Sequence, residues 1–317
     1  VDGIKYEKIA GAYWDQMLFD DKELYGYLED LFEVKKTEKT GVSYLLTAGF
    51  YVEDNLLWCR RKGISLDGFS MHFAETRISG NSVYGCTEGG IIAVGGVLPG
   101  FRLDVNGNEI HATGDGIIVG TDDARIMNND IAVWGEGTGD GIALVPGLDP
   151  TGLDHCQVLG NRIAGVAGYG IALRTHVRSA MIKQNMIDGV GSGGIVMEGD
   201  GKADNLSIEN NQLLHIAPQV KQSDKSIVGI RLMHTAQGAI IGNTINGVGQ
   251  NAVETSSQAG IQVMSSSSVR IADNEVVNIG SGKSGEQSPW AGIEVIAPFD
   301  SLDVGDNRVR RSQQQPN

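Results

Sequence analysis

The apolar positions of this chain recur in one block, with an aliphatic residue three places before an asparagine and another two places after it. The asparagines are Asn81, Asn108, Asn129, Asn161, Asn185, Asn211, Asn243, Asn274 and Asn307. Three places earlier stand Ile78, Val105, Ile126, Val158, Ile182, Ile208, Ile240, Ile271 and Val304. Two places later stand Val83, Ile110, Ile131, Ile163, Ile187, Leu213, Ile245, Val276 and Val309. Self-similarity at a spacing of a few tens of residues is the mark of a solenoid, in which each repeat covers the apolar side of its neighbour.

Eight of these blocks lead on to a Gly-Ile step: Gly90-Ile91, Gly116-Ile117, Gly141-Ile142, Gly170-Ile171, Gly194-Ile195, Gly229-Ile230, Gly260-Ile261 and Gly292-Ile293. Each step opens a short run with alternating apolar residues, such as Ile171/Leu173 and Ile230/Leu232, which is the period of a strand. One repeat therefore predicts one coil of several short strands, and nine coils stacked at roughly 4.8 Å bury a continuous core. The asparagine column fits a bend where the side chain bonds to backbone or to the next asparagine; asparagine as a plain turn-former gives the same fold.

On blocks such as Val158-Leu159-Gly160-Asn161-Arg162-Ile163 and Gly168-Tyr169-Gly170-Ile171-Ala172-Leu173, the chain resembles the right-handed parallel β-helix proteins of the pectin lyase-like superfamily. The resemblance covers residues 78 to about 311. It implies an all-β solenoid. Since such proteins include pectate lyases, polygalacturonases, uronan epimerases, phage tailspikes and non-catalytic surface proteins, it speaks for fold more than for activity. Residues 1–77 read as an N-terminal cap: a helix starts at Asp20-Asp21-Lys22-Glu23 with Leu24, Leu28, Leu31 and Phe32 on one face, and irregular strands such as Val42 to Leu46 and Leu56-Leu57-Trp58 follow. A cap suits an end that exposes unpaired edges. Residues 312–317 form a polar tail.

Composition narrows the partners. With 45 Gly and 6% aromatic residues, the chain is too rich in turn-formers to be mainly helical. Its net charge of −14 repels polyanions, so nucleic acid is not an expected partner. There is no apolar run of about 18 residues to insert in a membrane, and the first residues, Val1 to Lys8, are not a signal peptide; a start at Val rather than Met leaves room for a segment removed upstream. Cys59, Cys86 and Cys156 are odd in number and widely spaced, and read as small buried apolar residues.

Candidate chemistry comes from the positions one and three past each Gly-Ile isoleucine, which point outward. Early coils are bland there (Ile118, Gly120, Ala143, Val145), whereas Arg174, Glu198 and Arg231 bring charge onto adjacent middle coils. From Cys156 to Ile187 there is no Asp or Glu, yet Arg162, Arg174, Arg178, Lys183 and His176 are present. Such a band could hold an acidic sugar polymer, with Arg forks on carboxylates and a base beside a uronate. The plainer reading is solvated side chains offset by Glu198 and Asp200. Asp115 and Asp140, each just before a Gly-Ile step, would lie about 5 Å apart on neighbouring coils, fit to bind a cation such as calcium or to cleave a glycoside; Asp-Gly is also an ordinary turn pair.

Measured against the family, Gly120-Thr121-Asp122-Asp123 is similar to the Asp-Asp element of polygalacturonases, whose Gly-His-Gly and Arg-Ile-Lys elements are missing. Asp149-Pro150-Thr151 lacks the His of the epimerase Asp-Pro-His motif, and Arg174-Thr175-His176-Val177-Arg178 departs from the Arg-x-Pro-x-x-Arg pattern of pectate lyases. Residues 217–227, 249–259 and 280–291 lengthen three successive coils at one point and should stack into a wall, with Trp290 as a sugar platform or as loop packing. Residues 145–155 enlarge another corner, with His155 at its end.

The expectation is a carbohydrate-facing β-helix, set outside the cell or on a particle surface, that cleaves or epimerises an acidic glycan. Arg174, His176, Arg178, Lys183 and Glu198 would be catalytic; Arg231, Trp290 and His155 would bind substrate. The rival is a non-catalytic spike or adhesin, which a homo-trimer would favour.

Overall fold

The computed structural model describes residues 46–310, apart from residues 49, 74, 98–100, 134–138, 150, 200, 218–225, 251–256 and 281–289. The expected helix at 20–32 and most of the three expected loop insertions fall outside the described residues. Among the described residues every regular element is a strand, and no helix is long and apolar enough to cross a membrane. Three sheets of ten parallel strands run the length of a right-handed β-helix. A single coil passes through all three: Tyr169–Leu173 in the first sheet, Ala180–Lys183 in the second and Met186–Asp188 in the third, before Gly193–Met197 begins the next coil.

The stack starts earlier than the repeat suggests. Leu46–Ala48, Tyr51–Glu53 and Leu56–Trp58 pair in register with the strands of the following coil, so this stretch belongs to the three sheets and not to a separate cap. Asn55, with Val52 before it and Leu57 after it, is a tenth copy of the block, and Gly63-Ile64 is a ninth Gly-Ile step.

Both sequence motifs have a packing cause. Each ladder asparagine follows a residue in the left-handed region, from Asp54 (φ 56°) to Asp306 (φ 53°), which turns the chain sharply between the second and third sheets. The amide then points inward. Asn161 donates from its backbone N and its Nδ2 to Asn185 Oδ1, each at 2.9 Å, and Nδ2 also donates to Ile126 O at 2.9 Å. The same bonds repeat from Asn55 to Asn307, so buried amides that would be costly alone are satisfied by their neighbours.

The glycine of the Gly-Ile step faces the core together with its isoleucine. A Cβ on Gly170 would stand 2.5 Å from Ile187 Cγ2 and 2.8 Å from Gly194 O. It therefore touches the apolar residue two places after the asparagine of the same coil, and the two motifs are the two sides of one contact. One core cluster runs from Val52 to Ile279.

Candidate functional site

Because glycine and isoleucine both face inward, the outer face of the first sheet carries three columns. The first includes Asp115, Asp140 and Tyr169; the second Ala143, Ala172, Val196, Arg231, Gln262 and Glu294; the third Arg174 and Glu198. Parallel pairing without slippage brings residues of successive coils side by side. Arg174 N donates to Leu144 O at 2.8 Å and Glu198 N to Leu173 O at 3.0 Å, which fixes both side chains at the ends of adjacent strands.

A charged network results. Arg174 Nη2 stands 2.7 Å from Asp140 Oδ2 and its Nε donates to Glu198 Oε2 at 3.2 Å. Asp140 is buried, with its side chain 1% exposed, whereas those of Arg174 and Glu198 are 37% and 33% exposed. Burial pushes the Asp140 carboxyl up to about 6, against the backbone bond from Tyr169 and the charge of Arg174, which act to lower it. Tyr169 is raised by burial and by the nearby charge of Glu198; it stays a neutral donor. Next along the face, Arg231 Nε donates to Gln262 Oε1 at 2.7 Å, and Gln262 Nε2 to Glu294 Oε2 at 2.6 Å. Burial lowers the pKa of Arg231. A pocket of about 500 Å3 opens here, lined by Pro146, Arg174, Thr175, His176, Glu198 and Gly199.

Of the residues expected from sequence, Arg174, His176 and Glu198 meet at this pocket, and Arg231 continues the same face. His176 Nε2 lies 3.1 Å from Asp204 Oδ1. Lys183 does not join them: it sits on the second sheet, 2.9 Å from Glu209 Oε2. Arg178 follows the bridge at Val177, where it is surrounded by Asp149, Asp122 and Asp154 at 3.2, 3.7 and 3.5 Å and hydrogen-bonded to Thr151. Its guanidinium thus ties down the 145–155 segment. His155 stands at the start of Cys156–Leu159, with Nδ1 3.5 Å from Asp123. Trp290, 41% exposed, lies against Gly280 at the start of Trp290–Ile296.

The Asp115 and Asp140 pair does meet, but as backbone acceptors. Asp140 N donates to Asp115 Oδ1 at 2.6 Å and Tyr169 N to Asp140 Oδ1 at 2.8 Å. With Arg174 on the remaining oxygen, the position a cation such as calcium would need is taken, and among the described residues no group of three or more His, Cys, Asp or Glu is placed to hold a metal. The basic band read from Cys156 to Ile187 also separates: Arg162 lies on the third sheet, 2.8 Å from Asp130. Sequence reading missed Tyr169. The signal was its position just before Gly170-Ile171, the place Asp115 and Asp140 hold on earlier coils.

A family model described as "Right handed beta helix region" matches residues 97–276 and, overlapping, 147–313. No curated protein sequence matches the chain. Among solved structures, the A-module of the Azotobacter vinelandii mannuronan C-5 epimerase AlgE6 is similar with a TM-score of 0.52 at 15% identity, over 80% of this chain and 63% of that one. The Dettilon tailspike protein (gp208) is similar with a TM-score of 0.41 at 12% identity, over 78% of this chain and 61% of that one. The chain thus spans less than two thirds of either structure.

Proposed function

Since the chain belongs to the right-handed β-helix family, whose stacked coils make a continuous outer stripe, we propose that its first-sheet face binds an acidic polysaccharide around Arg174 and acts on it beside a uronate carboxylate. The observation that carries this reading is the Asp140–Arg174–Glu198 network at the mouth of the pocket. The buried carboxylate holds one edge of the guanidinium, and the exposed remainder keeps free N–H donors for a planar anion.

The chemistry follows from roles the residues can play. Arg174 on a uronate carboxylate stabilises the negative charge that develops when the neighbouring C–H proton is removed. Glu198, a strand spacing away, is the base; Tyr169, on the neighbouring outer column, and His176 across the pocket return or deliver a proton. Delivery of a proton to the opposite face of the same carbon gives epimerisation, and loss of the glycosidic oxygen from the adjacent carbon gives elimination. Asp140, out of reach of any polymer, is a positioning residue. The epimerase module named above acts on mannuronan at C-5; that substrate class is part of the proposal here.

The test is a panel of uronate polysaccharides assayed for unsaturated uronate, new reducing ends and changed sugar configuration, run on wild type and Arg174→Ala. Turnover on at least one acidic glycan that Arg174→Ala abolishes supports the reading. Absence of turnover and of binding across the panel overturns it.

A further inference from the structure

Away from this face, the first two coils bring two thiols together. Cys59 directly follows the strand Leu56–Trp58, and Cys86 ends the strand Ser82–Cys86 paired with it. Cys59 N donates to Tyr84 O at 2.8 Å, and Gly85 takes up φ 80°, where an added Cβ would stand 2.9 Å from Cys59 O. The turn between Tyr84 and Cys86, where the register shifts against the next coil, puts one extra residue into the second coil, so that Cys86 stands across from Cys59, with Thr87 Oγ1 donating to Arg60 O at 2.9 Å just beyond. Cys86 is buried in the core against which Cys59 packs. Adjacent parallel strands are roughly 4.8 Å apart, inside the Cα separation of about 4.4–6.8 Å that a disulfide spans. Both thiols are free in this structure. The third, Cys156, is buried on a distant coil.

We propose that Cys59 and Cys86 form a thiol–disulfide exchange site, in which a small-molecule disulfide converts the pair into an intramolecular bond that staples the first coil to the second. The roles are set by access. Cys59 is half-buried and meets solvent; Cys86 is wholly buried behind it. The neighbouring Cys86 thiol lowers the Cys59 thiol to about 7, and Cys59, with burial, raises Cys86, so the accessible sulfur is the better thiolate at neutral pH. Cys59 loses its proton and attacks one sulfur of the small disulfide, breaking its S–S bond and releasing one small thiol, which takes up that proton. Cys86 then loses its proton and attacks the Cys59 sulfur, releasing the second small thiol. Two protein thiols are oxidised and one small disulfide is reduced to two thiols.

The experiment exposes the native chain to oxidised glutathione, quenches it by alkylation in denaturant, and measures intact mass and digested peptides. The titratable thiols should fall from three to one, with a linked Cys59–Cys86 peptide and an intact mass carrying one alkyl group where the untreated chain carries three. Cys86→Ser should stop at a glutathione adduct on Cys59, and Cys59→Ser should keep its remaining thiols. Persistence of all three thiols in the wild type, a link to Cys156, or loss of thiols in Cys59→Ser overturns the proposal.

Discussion

Asp140 Oδ2 meets Arg174 Nη2 at 2.7 Å across one coil spacing, the first residue buried and the second open to solvent. A buried acid that grips one edge of an exposed guanidinium fixes its direction without using up its charge-bearing donors. Removing Arg174 removes a charge-assisted contact to any bound carboxylate. Arg174→Ala should weaken binding of a uronate oligosaccharide by at least about tenfold, about 1.4 kcal/mol or more, and Arg174→Lys should recover only part of it because the fork is lost. Titration calorimetry reads both.

The pair also predicts a pH dependence. Below about 6, Asp140 holds its proton, and Arg174 then faces the pocket with one fewer compensating charge. Affinity for an anionic glycan should rise as pH falls through 6, and Asp140→Asn should flatten that rise. In folding, the native carboxyl is raised from 3.8 to about 6, so the folded state binds the proton more tightly. The stability this contributes is complete below 3.8 and is lost as pH rises through about 6. Unfolding midpoints across this window, for wild type and Asp140→Asn, check it.

The asparagine ladder should be sensitive at its centre. Asn185→Ala removes the acceptor shared by Asn161 N and Nδ2, and the donor to Val158 O. Leaving buried polar groups unpaired costs about 1–3 kcal/mol. The midpoint in denaturant should drop by a corresponding amount, and hydrogen exchange should quicken first in the coils around Asn161, since a solenoid transmits stability through nearest neighbours.

Glycine positions that look alike in sequence should separate in experiment. Gly170→Ala pushes a methyl group against Ile187 Cγ2 and Gly194 O and should cost about 1–3 kcal/mol by overpacking. Gly107, at φ 65° with open space where a Cβ would go, should accept Asn, a residue that tolerates this conformation, with little change in thermal midpoint. Calorimetry on the two variants distinguishes packing from backbone conformation as the reason for glycine.

The coil was readable because period and chemistry coincide: Ile182, Asn185 and Ile187 each have one place in the cross-section. Asn55 carries the same signal with Val52 and Leu57, inside the stretch that the helix-like start at Asp20 assigns to a cap reaching residue 77. The candidate site was half readable. Arg174, Glu198 and Arg231 follow from counting outward positions. The acid-free run from Cys156 to Ile187 misled, because charge that is local in sequence is not local in a stack. Neighbouring coils supply Asp130 to Arg162, Asp140 and Glu198 to Arg174, Asp149 to Arg178, and Glu209 to Lys183. Nor could spacing alone show that the 145–155 segment folds back onto Arg178, a contact made by loop side chains that obey no repeat.

The central claim is that an acidic glycan lies on the first-sheet face and not on a basic band around the rod. Affinity of one uronate oligosaccharide for wild type, Arg174→Ala and Lys183→Ala decides it. A large loss for Arg174→Ala with none for Lys183→Ala is the predicted result; equal losses in the two variants, or binding untouched by Arg174→Ala, would contradict it.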